Sequence, residues 1–120
     1  MKDSICLMKD VLKTFNEFEN SLIKIHSISL NEAMLLCLLG EHTKGKRHLS
    51  ASEIAEMTGF TASHTSKVLR SAESRKWISR SLCEKDRRKM HFELTTEGAD
   101  KLRQLKVTPV KLPELFQKLL

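Results

Sequence analysis

Leu49-Ser50-Ala51-Ser52-Glu53-Ile54, followed by Gly59-Phe60-Thr61-Ala62-Ser63-His64-Thr65-Ser66-Lys67-Val68-Leu69-Arg70-Ser71-Ala72, carries two helix starts in quick succession. Ser50 and Glu53 have the spacing of a capping box, in which a hydroxyl and a carboxylate reciprocally satisfy the first free amides of a helix. Leu49 and Ile54 are placed as the hydrophobic staple of the same start. The spacing predicts a helix over 51–58 that ends at Gly59, and a second helix capped by Thr61. In the second, Thr65, Val68, Leu69 and Ala72 fall at i, i+3, i+4 and i+7 and face inward. Ser63, His64, Ser66, Lys67, Arg70 and Ser71 remain outward: small polar groups mixed with cations, and no acid. Two short helices about a tight glycine-containing turn make a helix-turn-helix.

Downstream of Lys76 the period changes. Ile78, Arg80 and Leu82 lead into the charged run Glu84-Lys85-Asp86-Arg87-Arg88, after which Met90, Phe92 and Leu94 alternate with Lys89, His91 and Glu93. Alternation of this kind predicts a half-buried antiparallel hairpin. Thr95 is placed to cap a further helix carrying Ala99, Leu102 and Leu105. Val107 to Pro109 breaks that helix, and Leu112, Leu115, Phe116 and Leu119 form a last short amphipathic piece around Pro113.

Upstream, residues 2–26 read as one long helix. Met8, Val11, Phe15, Phe18, Leu22 and Ile25 alternate spacings of three and four, with no Gly or Pro among them. With Ile5, Leu7, Leu12 and Ile23 added, the stripe is broader than one small domain needs, which favours pairing with a second copy. Ser29 and Glu32 give another capping box, and Gly40 reads as the stop of that helix. Met34, Leu35, Leu36, Cys37, Leu38 and Leu39 make it apolar nearly all round, so it is expected at the centre, with Cys37 as plain core.

The expected fold class is mainly α with a small antiparallel β-wing (α+β), a winged helix-turn-helix with N- and C-terminal dimerisation helices, the C-terminal ones being implied by resemblance to a known family. A single domain over 1–120 is expected, with 1–28 and 107–120 as dimerisation helices and 29–106 as the winged core. The chain is 120 residues, 40% hydrophobic and 30% charged, which is ordinary for a soluble globular protein. Its longest apolar run, Ala33 to Leu39, is too short to span a bilayer, and Met1-Lys2-Asp3-Ser4 lacks the features of a secretory signal, so a cytoplasmic protein with no membrane partner is expected. Three cysteines, Cys6, Cys37 and Cys83, without close spacing fit reduced thiols. The net charge of +6 is uneven: twelve basic residues face five acidic ones between Thr43 and His91, a surplus of +7 there and −1 elsewhere. A cation surplus confined to one segment is the footprint of phosphate contact.

From about Ser29 to Leu105 the chain resembles the MarR family of winged-helix transcription regulators. The family's wing pattern, Asp, any residue, Arg, then an apolar-alternating strand ending Leu-Thr-x-x-Gly, is matched by Asp86, Arg88, Phe92, Leu94, Thr95 and Gly98, and Arg80 also fits. The chain departs from relatives at Lys76-Trp77, where Gly-Leu is common, and at Ala72, where Leu is common; Trp77 is expected to fill the space that Ala72 leaves. Its C-terminal stretch is shorter than the usual dimerisation helices.

The resemblance implies a homodimeric regulator of double-stranded DNA, repressing from a pseudo-palindromic site and relieved by a small aromatic or other apolar effector or by an oxidant. Ser63, His64, Ser66, Lys67, Arg70 and Ser71 are the expected contacts of the inserted helix, read against base edges and phosphates of the major groove. At the wing, Arg88 is expected in the minor groove, Asp86 as the group that orients it, and Lys85, Arg87 and Lys89 at phosphates. For isolated Lys85 and Arg75 the reading as a solvated cation outweighs DNA contact.

Other functions leave weaker traces. Cys6 is a candidate redox site, because some relatives use a cysteine in that region, yet the chain has no Tyr to partner a peroxide-sensing thiolate. Five His and three Cys are scattered without a close ligand pair, so no metal is expected. No glycine-rich phosphate loop, nucleophile elbow or acid–base pair is present, so neither an enzyme nor a bound cofactor is expected. A winged helix used for protein or structured-RNA contact is the remaining alternative.

Overall fold

A computed structural model describes residues 3–43, 48–82, 85 and 89–118. The elements are α1 (Ser4–His26), α2 (Leu30–Thr43), β1 (Leu49–Ser50), α3 (Ala51–Thr58), α4 (Ala62–Ser74), β2 (Ile78–Leu82), β3 (Met90–Leu94), α5 (Thr96–Val107) and α6 (Glu114–Gln117). They fall into two compact units, one of residues Met1–Leu30 with Thr108–Leu120 and one of Asn31–Val107. The architecture is mostly helical with one small antiparallel sheet, as expected.

In the first unit, Asp3 caps α1 by accepting the Cys6 amide at 2.8 Å, and Ser27 ends it in the left-handed region at φ 55°. The His26 ring, nearly buried, holds the Thr108 carbonyl at 2.7 Å and so ties the end of α1 to the segment after α5. Phe15 and Phe116 meet with ring centroids 5.2 Å apart. The broad stripe on α1 is largely exposed: Ile5, Leu7, Met8, Leu12, Phe15, Ile23 and Ile25 all face solvent, and Leu22 is buried.

The second unit is built on α2, whose Leu35, Leu36 and Leu39 are fully buried. The expectation of an all-round core helix fails on the other side, where Met34 and Cys37 are exposed. Cys37 is not core: its Sγ lies 3.7 Å from Glu41 Oε1, and partial burial with that carboxylate pushes the thiol above its ordinary range. Gly40 does not stop the helix either, which runs on to Thr43. A Cβ there would meet Leu102 Cδ2 at 2.5 Å, so the glycine lets α5 approach α2.

α3 and α4 form as their caps dictate. The Ser50–Glu53 capping box is complete, Gly59 closes α3 at φ 81°, and Thr61 accepts the His64 amide at 3.0 Å. Each such cap contributes about 1 kcal/mol. Thr65, Val68, Leu69 and Ala72 are all buried, the face that the 3.6-residue period selects.

The sheet has the order β1-β3-β2. Its hairpin is in register with Ile78 opposite Leu94 and Leu82 opposite Met90. β1 pairs Leu49 with Phe92 and Ser50 with His91. A two-residue strand carries no alternation, so sequence periodicity does not reveal it. On β2 only Ile78 is buried; Leu82 lies beyond the core and is exposed.

The Leu94-Thr95-x-x-Gly98 motif is a joint. The Thr95 hydroxyl donates to the Lys76 carbonyl at 2.6 Å and accepts the Gly98 amide at 2.9 Å. The Thr95 amide donates to the Trp77 carbonyl at 3.0 Å, and a Cβ on Gly98 would lie 1.9 Å from that same oxygen. Lys76 sits at φ 64°, in the left-handed region that glycine occupies without cost. The glycine common at this place in relatives thus has a backbone reason. Trp77 is half-buried, with the Arg75 guanidinium 4.5 Å and the Lys101 ammonium 5.6 Å from its ring.

Candidate nucleic-acid interface

The outward face of α4 is polar and cationic. Ser63, Ser66, Lys67 and Arg70 are exposed along it, and on a 3.6-residue helix they fall within one sector. The helix opens with amides pointing out of its N-terminus, a favourable place for an anion.

His64 is half-buried and engaged: Asn31 Nδ2 donates to its Nε2 at 2.9 Å, and Phe60 meets the ring edge-on at 4.8 Å. Ser71, though exposed, is also engaged, its hydroxyl donating to Glu32 Oε2 at 2.6 Å. Arg75 is exposed but not isolated: its Nη1 is 3.4 Å from Glu32 Oε1, and its guanidinium lies over Trp77.

Beside α4, a cleft of about 450 Å³ is bounded by the start of α3, the outer part of α4 and the hairpin. Ser50, Ser52, Arg70, Arg80 and Lys89 give it hydroxyls and cations. Arg80 is fixed there by a bidentate pair with Glu73, Nε to Oε2 at 2.8 Å and Nη2 to Oε1 at 2.6 Å. Hydrogen bonding to Glu73, then its charge, raises the guanidinium's affinity for its proton. Of the wing residues, Lys85 and Lys89 are exposed, whereas Asp86, Arg87 and Arg88 lie outside the described residues.

Two further features were not legible in the chain. His48 and His91 stack with centroids 5.8 Å apart, and His48 Nδ1 lies 3.5 Å from Glu93 Oε2. The β1–β3 register brings these distant residues together, although among the described residues no three such groups are arranged to hold a metal. A second cleft, of about 570 Å³, lies between the end of α2 and the Leu94–Lys106 segment. Leu94, Ala99 and Leu102 give it apolar walls, and Glu41, Arg103 and Lys106 give it charged ones.

Cys6 is exposed on α1, and its amide donates to the Asp3 carboxylate. Among the described residues no single helix is long and apolar enough to cross a membrane.

Helix-turn-helix, flanking hairpin and capping third strand together define a winged-helix protein. The chain belongs to the MarR family, whose sequence model matches residues 26–89. The transcriptional repressor MprA of Escherichia coli strain K12 is 27% identical over 89 residues, covering 74% of this chain and 49% of MprA. The chain thus spans about half the length of the curated relatives it matches. Among solved structures, S. aureus MepR in complex with DNA superposes with a TM-score of 0.79 at 20% identity, covering 89% of this chain and 77% of that one. E. coli MarR in its apo form gives a TM-score of 0.77 at 17% identity over all of this chain and 87% of that one. At these identities the two superpositions establish the fold.

Proposed function

We propose that this protein is a sequence-specific, double-stranded-DNA-binding transcriptional regulator, a homodimeric repressor relieved by a small apolar effector. The outward face of α4 carries the reading: an acid-free row of Ser63, Ser66, Lys67 and Arg70 on a capped helix, supported by a core that leaves it exposed. A helix of this size fits the major groove, where each base pair displays a distinct donor and acceptor pattern. His64 and Ser71 serve the row from its flank.

The hydroxyl- and cation-lined cleft around Arg70, Arg80 and Lys89 supports a phosphate grip next to the reader. Lys85 continues that grip along the wing. Arg88 takes the minor-groove contact, oriented by Asp86, two roles that rest on their places in the family's wing motif; Arg87, at the variable position between them, is a phosphate neighbour. The exposed apolar residues of α1 support association with a second copy. The apolar cleft walled by Leu94, Ala99 and Leu102 supports a small apolar effector. Relatives described as a transcriptional repressor and as a DNA complex agree with the reading.

Selecting genomic duplex fragments with the purified protein, then footprinting the enriched ones, tests this function. The expected result is a pseudo-palindrome whose half-sites lie roughly 10 bp apart, one helical turn, as two-fold symmetry requires. No enrichment above random fragments would overturn it.

A further inference from the structure

Two consecutive residues at the start of α2 hold α4 at two places. Asn31 donates to His64 Nε2 at 2.9 Å near the N-terminal end of α4. Glu32 accepts from Ser71 Oγ at 2.6 Å and from Arg75 Nη1 at 3.4 Å at the C-terminal end. Glu32 is only 7% exposed, and a buried carboxylate is tolerated where partners of this kind stabilise it. The chain passes from one unit to the other between Leu30 and Asn31, so the first two residues of the second unit make both grips.

His64, Val68, Ser71 and Arg75 follow one another at spacings of four, three and four, which is a single stripe along the helix. Val68, in its middle, is buried. At ~100° per residue this stripe lies about 120° round the axis from the midpoint of Ser63, Ser66, Lys67 and Arg70. The hydrophobic driving force on the core face is non-directional and sets rotation only through side-chain packing; directional hydrogen bonds at two points add a sharper constraint. A turn of about 20° moves a side-chain tip ~5–6 Å from the axis by about 2 Å. That displacement is enough to lose a hydrogen bond to a base edge.

We infer that Asn31 and Glu32 are positioning residues for DNA reading: they fix the rotation of α4, and with it which side chains face the groove, without touching DNA. The inference rests on the DNA-reading function proposed above. It assigns His64 and Ser71 a share in specificity through α2 in addition to any contact of their own.

The test compares wild type, N31A, E32A and E32Q on two duplexes: a genomic fragment selected by wild type, and a scrambled fragment of equal length and composition. Melting and circular dichroism select the temperature at which each variant is fully folded. N31A and E32A are expected to lose about tenfold or more of their preference for the selected fragment. For N31A, which alters no charge, affinity for the scrambled duplex and its salt slope should stay unchanged. E32Q, which keeps an oxygen acceptor for Ser71, should recover most of the preference. Should E32A not fold, N31A and E32Q carry the comparison. A folded N31A with the wild-type preference overturns the inference and leaves the DNA-reading function standing. Wild type that does not distinguish the two duplexes overturns both.

Discussion

Arg80 on β2 and Glu73 on α4 form a two-pronged ion pair, 2.6 and 2.8 Å, that joins the wing's first strand to the helix beside it. The pair lies at the rim of the cleft that also holds Arg70 and Lys89. Glu73 therefore fixes a cation in place and cancels its charge at the same time.

Glu73→Gln should release that cancellation. Non-specific duplex affinity is expected to rise, and its logarithmic salt slope to steepen by about one, the value for one added phosphate contact. Anisotropy titrations at several salt concentrations measure both; an unchanged slope would mean that Arg80 does not face phosphate.

Two glycines with different neighbours should respond differently to a methyl group. At Gly98 the new Cβ meets the Trp77 carbonyl at 1.9 Å, backbone against backbone, and Gly98→Ala should cost about 3 kcal/mol or more. At Gly40 the obstacle is the flexible end of Leu102, and alanine gains helix propensity, so Gly40→Ala should stay within about 1 kcal/mol of wild type. Chemical denaturation of the pair checks the contrast, and equal costs would contradict it.

Lys76 occupies the left-handed region at φ 64°. Lys76→Gly should stabilise the protein by about 0.5–1 kcal/mol, the relief of strain less glycine's larger unfolded freedom. A lower melting temperature would show that the lysine side chain contributes more than its backbone costs.

Asp3 is held below the ordinary aspartate range by the Cys6 backbone amide it caps. A lowered carboxylate contributes above its unfolded pKa and loses that contribution as pH falls through the folded one. Amides in the first turn of α1 should therefore exchange faster in acid, relative to the intrinsic rate, than near neutrality. Asp3→Asn, which caps without a charge, should remove that pH dependence.

The chain is most legible where a local rule acts alone. Ser50, Glu53, Gly59 and Thr61 announce α3 and α4 because caps depend on neighbours a few residues away. The buried row Thr65, Val68, Leu69 and Ala72 follows from helical period alone. It is less legible where a distant residue decides. Gly40 reads as a stop from its neighbours, and only Leu102, sixty-two positions on, turns it into a packing glycine. Cys37 sits in an apolar run, yet α2 buries Leu35, Leu36 and Leu39 on one side and leaves the thiol on the other.

The candidate interface divides in the same way. An outward α4 face follows from period and charge, but the engagement of His64 by Asn31, of Ser71 and Arg75 by Glu32, and of His48 by His91 needs the tertiary register. The wing motif was recognisable as a family pattern, whereas the carbonyl contact that demands Gly98 and the φ angle at Lys76 are matters of backbone geometry.

The most direct test of α4 as a reader of duplex DNA is a titration of the selected fragment with wild type and with a Lys67→Ala, Arg70→Ala double variant across a range of salt. Both side chains are exposed, so the fold should be unaffected. Affinity is expected to fall at least tenfold and the salt slope to shrink by about two, one for each phosphate-facing cation removed. Superimposable curves for the two proteins would contradict the assignment of this face to DNA.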